Sequence, residues 1–281
     1  MSEKALLEWS MGVHIVGTPI WCDAVREREV TFVSSVAPLT WPRRGSRQAR
    51  VLCTEETARA LRALHRLPSQ EVLVTPFGRP LYLGKLRLEL LPSGRHPGAA
   101  QLLVEVKGKR VLYSVGVDPN AAETQVRSCD ALVLAPTTAH LRSADLLTWV
   151  RENERGVVLA SLYGDLLRVA TVLQRHQIPL LAPRRVGQLL SAVATKAWRG
   201  RLGPGEILLW PKEQAKPKLS APRFEVDGAS DPTALLEFAR STGAEEIFLT
   251  EKLDPGWVAP FAAAKMRVQT IAPPHQIPLL R

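Results

Sequence analysis

The stretch that decides the fold is Leu91-Pro-Ser-Gly-Arg-His-Pro-Gly-Ala-Ala-Gln101, continued by Leu102-Leu-Val-Glu-Val-Lys-Gly-Lys-Arg-Val-Leu-Tyr113. Its second part is rich in apolar and β-branched residues, which favour strands. Lys107-Gly108 is typical of a hairpin turn between two such strands. The Pro and Gly residues before Ala100 indicate a loop. The segment therefore predicts a strand, a glycine-containing loop and a β-hairpin.

The flanking segments predict a mixed α/β chain. Short strands are expected at His14–Gly17 and Val30–Ser34. Thr54 is a suitable N-cap for a helix that runs to His65, with two acids in its first turn. From Asp145 onward helices and strands alternate, which favours an α/β unit. The Pro- and Lys-rich segment Gln214–Pro222 is the best candidate for a boundary.

Composition and charge limit the class of protein. The chain has 281 residues, of which 46% are hydrophobic and 23% charged, as expected for a globular protein. It has no apolar run long enough to span a membrane, and its start does not resemble a signal peptide. Its three cysteines are scattered and form no Cys-x-x-Cys pair, so neither a zinc knuckle nor a disulfide framework is indicated. We therefore expect a cytoplasmic protein.

The basic residues are concentrated in one part of the chain. The formal net charge is +10, and the window from Arg168 to Arg223 holds eleven basic residues against only Glu206 and Glu213. Such asymmetry favours a polyanionic partner, although general solubility would also account for it. Trp198 and Trp210 lie inside this window, where they would either stack on bases or pack in the core.

The opening stretch resembles the metallo-β-lactamase/β-CASP nucleases, in particular the bacterial exonuclease-like members associated with DNA ligase and Lhr-type helicase. The resemblance runs from about Val30 to the C-terminus. It implies an α/β fold, an αββα sandwich with a shortened β-CASP-like insert. The implied divisions are the first part of the sandwich at 1–155, the basic insert at 156–218, and the return to the sandwich with the tail at 219–281.

The positions at which the family holds its metals carry other residues here. The first metal loop begins at Ser35 and contains no His or Asp, Arg95 stands where a ligand His follows a glycine, and Asp118 lies two residues beyond the bridging Asp. In the later motifs Asp227 is followed by Gly228, and Glu251 replaces a His. Because a guanidinium has no lone pair to donate, Arg95 is a poor ligand. The resemblance therefore implies a non-catalytic member, with no catalytic residue, bound metal or cofactor.

Two alternatives concern the residues next to these positions. We expect His96 to be an exposed loop histidine rather than a ligand, and Asp118 to be either a turn acid before Pro119 or a displaced ligand. An enzymatic alternative is a residual metal-dependent hydrolase, with zinc held in a rearranged site of His96, Asp118, His140 and Asp227.

The leading hypothesis is an inactive nuclease-like protein that binds nucleic acid and assembles with DNA- or RNA-processing partners. The residues expected to hold phosphates are Arg95, Arg168, Arg184, Arg185, Lys196, Arg199 and Arg201. By resemblance, the protein partners would be a helicase, a DNA ligase or an active paralogue.

The C-terminal tail supports another alternative, a protein-interaction scaffold. Its residues Gln276, Ile277, Leu279 and Leu280 are similar to short sliding-clamp-binding peptides. A terminal tail is accessible for such contacts, although the same residues would also suit packing on the domain.

Overall fold

The chain has a mixed α/β fold, as predicted. The structure is a computed structural model and describes residues 5–26, 28–36, 50–64, 67, 72–135, 141–197, 200–226, 231–251 and 255–271. In this part of the chain there are three β-sheets and six helices. No helix among the described residues has both the length and the apolar character that crossing a membrane requires.

The first sheet is built from six short strands in sequence order. They are β1 (Leu7–Trp9), β2 (Val13–Ile15), β3 (Ile20–Cys22), β4 (Val30–Phe32), β5 (Val51–Cys53) and β6 (Val72–Val74). The first three pair antiparallel, and β3 to β6 run parallel. Helix α1 (Glu55–Ala63) connects β5 to β6, and Thr54 caps it by accepting a hydrogen bond from Thr57 N at 3.2 Å.

The second sheet has seven strands in the order β17-β16-β11-β10-β9-β8-β7. Their bounds are β7 (Pro80–Leu83), β8 (Leu86–Pro92), β9 (Ala100–Val106), β10 (Lys109–Tyr113), β11 (Ala131–Leu134), β16 (Glu246–Leu249) and β17 (Arg267–Thr270). Strands β7 to β10 form an antiparallel meander that contains the predicted hairpin at Lys107-Gly108. Strands β10, β11, β16 and β17 are parallel.

The two large sheets pack face to face, and helices cover the far side of the second. Successive residues of β9 point to opposite faces, as strand geometry requires. Leu102 lies in a core with Phe32 of the first sheet, whereas Leu103 packs under the helices with Phe238 and Phe261. These helices are α5 (Pro232–Thr242) and α6 (Pro255–Ala263). The loop between β8 and β9 contains the Pro and Gly residues that precede Ala100. It therefore lies at an edge of the second sheet, which is buried between the first sheet and the helices.

The third sheet has four parallel strands in the order β13-β14-β12-β15. These strands are β12 (Gly156–Ala160), β13 (Leu180–Leu181), β14 (Ile207–Pro211) and β15 (Arg223–Glu225), and the accompanying helices are α2 (Ser143–Glu152), α3 (Asp165–Arg175) and α4 (Arg184–Ala192). Their core is continuous with Leu61 of α1. The third-sheet unit is therefore fixed to the first sheet rather than tethered by a linker.

The third sheet extends beyond the predicted boundary at 218. Strand β15 pairs with β12, in the register Val157↔Arg223. A boundary at 218 would separate two hydrogen-bonded strands, whereas the structure places the end of this sheet at Glu225. The Pro- and Lys-rich segment is thus a connection inside the unit, leading from β14 to its last strand.

Candidate functional site

The loop between β8 and β9 is held in one conformation by its backbone. Ser93 N donates to Ala99 O at 3.0 Å, and Asp118 N donates to Ser93 O at 2.8 Å. Gly94 has φ +72, and a Cβ there would stand 2.0 Å from Thr124 Oγ1. Glycine is therefore required both by the backbone conformation and by the close approach. This fixed loop presents the next two residues, an arginine and a histidine.

A buried ion pair joins the third-sheet unit to the loop after β10. Asp118 and Arg168 form a salt bridge, and their side chains are 1% and 11% exposed. Asp118 Oδ1 also accepts a hydrogen bond from Asn120 N at 3.1 Å, which is the turn role expected for an acid before proline. Arg168 lies on α3, so the predicted phosphate-binding residue is already paired inside the protein.

The second arginine, Arg95, lies beside this pair. A Cβ on Gly116 would stand 2.8 Å from Arg95 Nη1, so the guanidinium occupies the space that a side chain there would need. The charge of Arg95 also acts on Asp23 and Asp165. Its Nε is buried and has no hydrogen-bond partner among the described residues. Arg95 therefore provides positive charge at the position where the resemblance places a metal ligand.

His96 is buried, contrary to the prediction of an exposed loop histidine. The residue is only 7% exposed, since the loop folds inward against α3. Burial, together with the smaller effect of the charges of Arg95 and Arg168, lowers the pKa of His96 to about 4 in spite of a hydrogen bond to Pro97 O. Nδ1 lies 2.9 Å from that carbonyl oxygen, which can only accept, so Nδ1 carries the proton. Nε2 is consequently an acceptor in a neutral ring.

Sequence reasoning missed Asp23, the residue that follows β3. Its carboxylate accepts from Ser34 N at 2.8 Å, Ser34 Oγ at 2.6 Å and Tyr113 Oη at 2.9 Å. Burial nevertheless raises the pKa of Asp23 from 3.8 to about 6, because desolvation outweighs these bonds and the charge of Arg95. The feature of the sequence that could have identified Asp23 is its position, since an acidic residue directly follows a buried apolar strand.

Asp165 completes what we call the ionic cluster: Asp23, Arg95, His96, Asp118, Asp165 and Arg168. Burial raises the pKa of Asp165, while Arg95, Arg168 and Lys212 lower it. Two guanidinium groups thus stand among three carboxylates at the meeting point of the large sheets and α3. Guanidinium groups donate hydrogen bonds and neutralise charge, but they do not activate water for hydrolysis.

The remaining predicted site residues are dispersed. Ser35 is buried and Glu251 is exposed. Of the residues predicted to hold phosphates, Arg184, Arg185, Lys196 and Arg201 are exposed on the third-sheet unit. Arg199, His140, Asp227 and the tail residues Gln276, Ile277, Leu279 and Leu280 lie outside the described residues.

The described residues around Arg95 do not fit a zinc pair. Within the described ranges no group of three or more His, Cys, Asp or Glu side chains is placed to hold a metal ion. Of the zinc ligands proposed in the alternative, Asp118 is engaged by Arg168, and the positive charges of Arg95 and Arg168 both act on the His96 ring. A divalent cation would be repelled by these guanidinium groups.

A cleft of about 830 Å³ opens beside the ionic cluster. Its walls are the loop 92–99, the loop 120–123, the start of α2 and one side of α3. Arg95, His96 and Arg168 line it and so belong to both features, whereas the buried Asp118 does not line it. Volumes of this size are usual for ligand-binding pockets.

Removing the charge of Arg168 should destabilise the protein strongly. We expect Arg168→Met to lower the free energy of unfolding by about 3–5 kcal/mol, because Asp118 would remain buried without its cation. The double variant with Asp118→Asn should recover at least half of that loss. The matched control is Arg175→Met on the same helix, whose pair with Glu123 is exposed and should contribute only about 0–1 kcal/mol. Equal losses for both single variants, measured by urea unfolding, would contradict this account.

The Asp23 carboxyl should make stability depend on pH. Its folded pKa of about 6 lies above its ordinary 3.8, so the unfolded chain ionises first as the pH rises. The wild type should therefore lose stability relative to Asp23→Asn as the pH rises from 4 to 7.5, by about 2–3 kcal/mol, most of it below pH 6. Urea unfolding of both proteins from pH 4 to pH 7.5 measures this difference. A difference that stays constant across the range would show that Asp23 is ionised throughout.

Comparisons with known proteins do not assign a family. No protein-family model matches the chain, and no curated protein matches it. Among solved structures, the chain is similar to the crystal structure of a protein of unknown function from Enterococcus faecalis V583, with 13% identity and a TM-score of 0.48. The match covers 86% of this chain and 69% of that one. The assignment of sites therefore rests on the geometry described above.

Proposed function

We propose that this chain is a catalytically inactive relative of the metallo-β-lactamase/β-CASP nucleases that binds nucleic acid. The observation that carries the proposal is the buried pairing of Arg168 with Asp118 next to Arg95. The position at which the resemblance places a ligand His thus holds Arg95, and Asp118, two residues beyond the position of the bridging Asp, is paired with an arginine. Positive charge at these positions is supplied by the chain itself.

The arrangement of layers is compatible with the proposed family fold. Two large sheets share a core, α5 and α6 cover one of them, and α1 packs on the other. The third-sheet unit, which begins at Gly156, is where the proposed shortened β-CASP-like insert would lie. In this proposal the cleft between the two parts is retained while its metal chemistry is lost.

The charges of the third-sheet unit support nucleic acid as the ligand. Arg184 and Arg185 are exposed at the start of α4, and Lys196 and Arg201 are exposed shortly after its end. Exposed arginines and lysines bind phosphates and release condensed counterions, which provides affinity without base specificity. The chain would hold a strand along this surface and present it to a helicase, a DNA ligase or an active paralogue that performs the chemistry.

Metal content tests the loss of catalysis. We expect far less than one zinc per chain by elemental mass spectrometry, and no cleavage of labelled DNA or RNA with added Zn²⁺ or Mn²⁺. The reason is that guanidinium groups occupy the space around the remaining acids and repel cations. About two metals per chain together with cleavage would instead support a residual hydrolase.

Salt dependence tests the binding surface. We expect the affinity for a single strand to fall with salt, and the slope of log K against log salt to become less steep by about 3 when four phosphate contacts are removed. The variant to test combines Arg184→Gln, Arg185→Gln, Lys196→Gln and Arg201→Gln. The control removes the same charge from exposed positions elsewhere and combines Arg79→Gln, Lys85→Gln, Lys107→Gln and Arg240→Gln. An equal change in both variants would show that only net charge matters.

A further inference from the structure

Strand β7 is the last strand of the second sheet, and one of its two sides has no neighbouring strand in the part of the chain that the structure describes. On the other side it pairs with β8, in a register that includes Leu83↔Leu86 and Leu81↔Leu88. A strand at the edge of a sheet has a row of backbone N–H and C=O groups that a further strand can bind. Strand β7 is therefore able to extend the second sheet by one strand.

The hairpin between β7 and β8 determines which backbone groups of β7 point outward. Its turn has two residues, and the first, Gly84, has φ +62, as a type II′ turn requires. The pair that flanks such a turn is hydrogen-bonded, and hydrogen-bonded pairs alternate with open pairs along the strand. Leu81 and Leu83 therefore bond to β8. The N–H and C=O of Tyr82 and the C=O of Pro80 point away from it.

Apolar side chains are accessible beside this open edge. Tyr82 is 61% exposed, the largest fraction among the large apolar side chains of the described residues, and Val74 at the end of β6 is 40% exposed. The segment 75–79 connects β6 directly to β7, so the edges of the two large sheets lie on the same side of the molecule. Leu81 and Leu83 pack on the core between these sheets but are only half-buried. An added strand would cover them.

The charge at this edge is positive. Arg79 precedes β7 and Lys85 follows it, and both side chains are exposed. Neither forms an ion pair with a described residue. The acids on the two neighbouring strands, Glu89 and Glu105, are already engaged by arginines within the sheet. Carboxylates of a partner would therefore be attracted to both ends of β7.

A second copy of the chain is a poor occupant of this edge. In a two-fold antiparallel pairing with Tyr82 opposite Tyr82, Arg79 of each copy would lie opposite Lys85 of the other. Like charges directly opposite one another destabilise a pair of strands. Basic residues on edge strands are also a usual means of preventing self-association. An acidic segment has the reverse preference, so the charge distinguishes between the two occupants.

We propose that β7 binds an acidic extended segment of a partner protein, which joins the second sheet as an additional strand. Because side chains alternate along a strand, the partner residues opposite Leu81 and Leu83 face the half-buried core and should be apolar. Those opposite Arg79 and Lys85 should be acidic. The pattern recognised is thus acid-x-apolar-x-apolar-x-acid. Backbone bonds to Tyr82 provide the affinity and this pattern provides the specificity.

The proposal is independent of the proposed function, because the predicted phosphate-binding residues lie on the third-sheet unit and not on β7. Its probe is the fluorescein-labelled peptide Glu-Thr-Val-Thr-Val-Thr-Glu with an amidated end, which reads the same in both directions and so presupposes no strand direction. The control peptide, Val-Thr-Glu-Thr-Glu-Thr-Val, has the same composition with acids and valines exchanged. We expect the full-length protein to bind the probe about tenfold more tightly than the control, as measured by fluorescence anisotropy.

Amide hydrogen exchange locates the bound peptide. The Tyr82 N–H should exchange rapidly in the free protein, because it points to solvent, and slowly when the probe is bound. The N–H groups of Leu81 and Leu83 should be protected in both states, because they bond to β8. Protection that leaves Tyr82 unchanged would place the peptide elsewhere and overturn the proposal.

Two variants separate backbone pairing from charge. Tyr82→Pro removes the outward N–H but none of the bonds to β8, so it should abolish binding, whereas Tyr82→Thr keeps the N–H and should bind within about threefold of the wild type. Urea unfolding confirms that both are folded. The double variant Arg79→Glu with Lys85→Glu should prefer the peptide Lys-Thr-Val-Thr-Val-Thr-Lys to the probe. Its matched control, Lys216→Glu with Lys218→Glu, changes exposed residues far along the chain and should retain the preference for the probe.

Each other outcome counts against the proposal. Absence of probe binding to the wild type would overturn it, and so would equal changes in the two double variants, since net charge would then account for the effect. Self-association in analytical ultracentrifugation that is lost in Tyr82→Pro would assign the edge to a second copy instead. Protection of the Tyr82 N–H by single-stranded DNA would assign it to nucleic acid. The peptide results leave the salt dependence of the third-sheet surface untouched, so failure here is distinguishable from failure of the proposed function.

Discussion

The buried ion pair between Arg168 and Asp118 is the constraint on which the arrangement of this molecule depends. One partner lies on α3 of the third-sheet unit and the other on the loop after β10, so the pair joins the two halves of the fold. Burying either charge alone is costly, and each side chain is therefore held by the other. The position of α3 against the loop 92–99, and with it the shape of the cleft, follows from this contact.

The two arginines of the ionic cluster influence the pKa values of their neighbours, on which burial is the larger effect. The positive charges of Arg95 and Arg168 add to burial in lowering the pKa of His96, so its ring is neutral and its free nitrogen is an acceptor. Burial raises the pKa of Asp165, and the charges of both arginines lower it. Burial also raises the pKa of Asp23, and the charge of Arg95 lowers it. For both acids burial is the larger effect, so their pKa values are raised. A protein that held divalent metal here would instead require these acids to be ionised.

Much of the local structure could be predicted from the sequence, because it depends on neighbouring residues. The hairpin at Lys107-Gly108 and the cap at Thr54 are both present. The site could not be predicted in the same way. Arg168 and Asp118 are far apart in sequence, Asp23 follows a strand of another sheet, and the burial of His96 depends on α3. Helix α4 was also missed, since its basic start resembles a loop or a binding segment.

A guanidinium group differs from a metal ion in two ways that bear on the role of the ionic cluster. It is covalently part of the chain, so the charge at the centre of the fold does not depend on metal supply, and the two halves stay joined. It donates hydrogen bonds but cannot lower the pKa of a water, so the cluster has a structural role. Arg95 and Arg142 both lie at the wall of the cleft. The cluster and the wall of the cleft therefore share Arg95, whose charge does not depend on a bound metal.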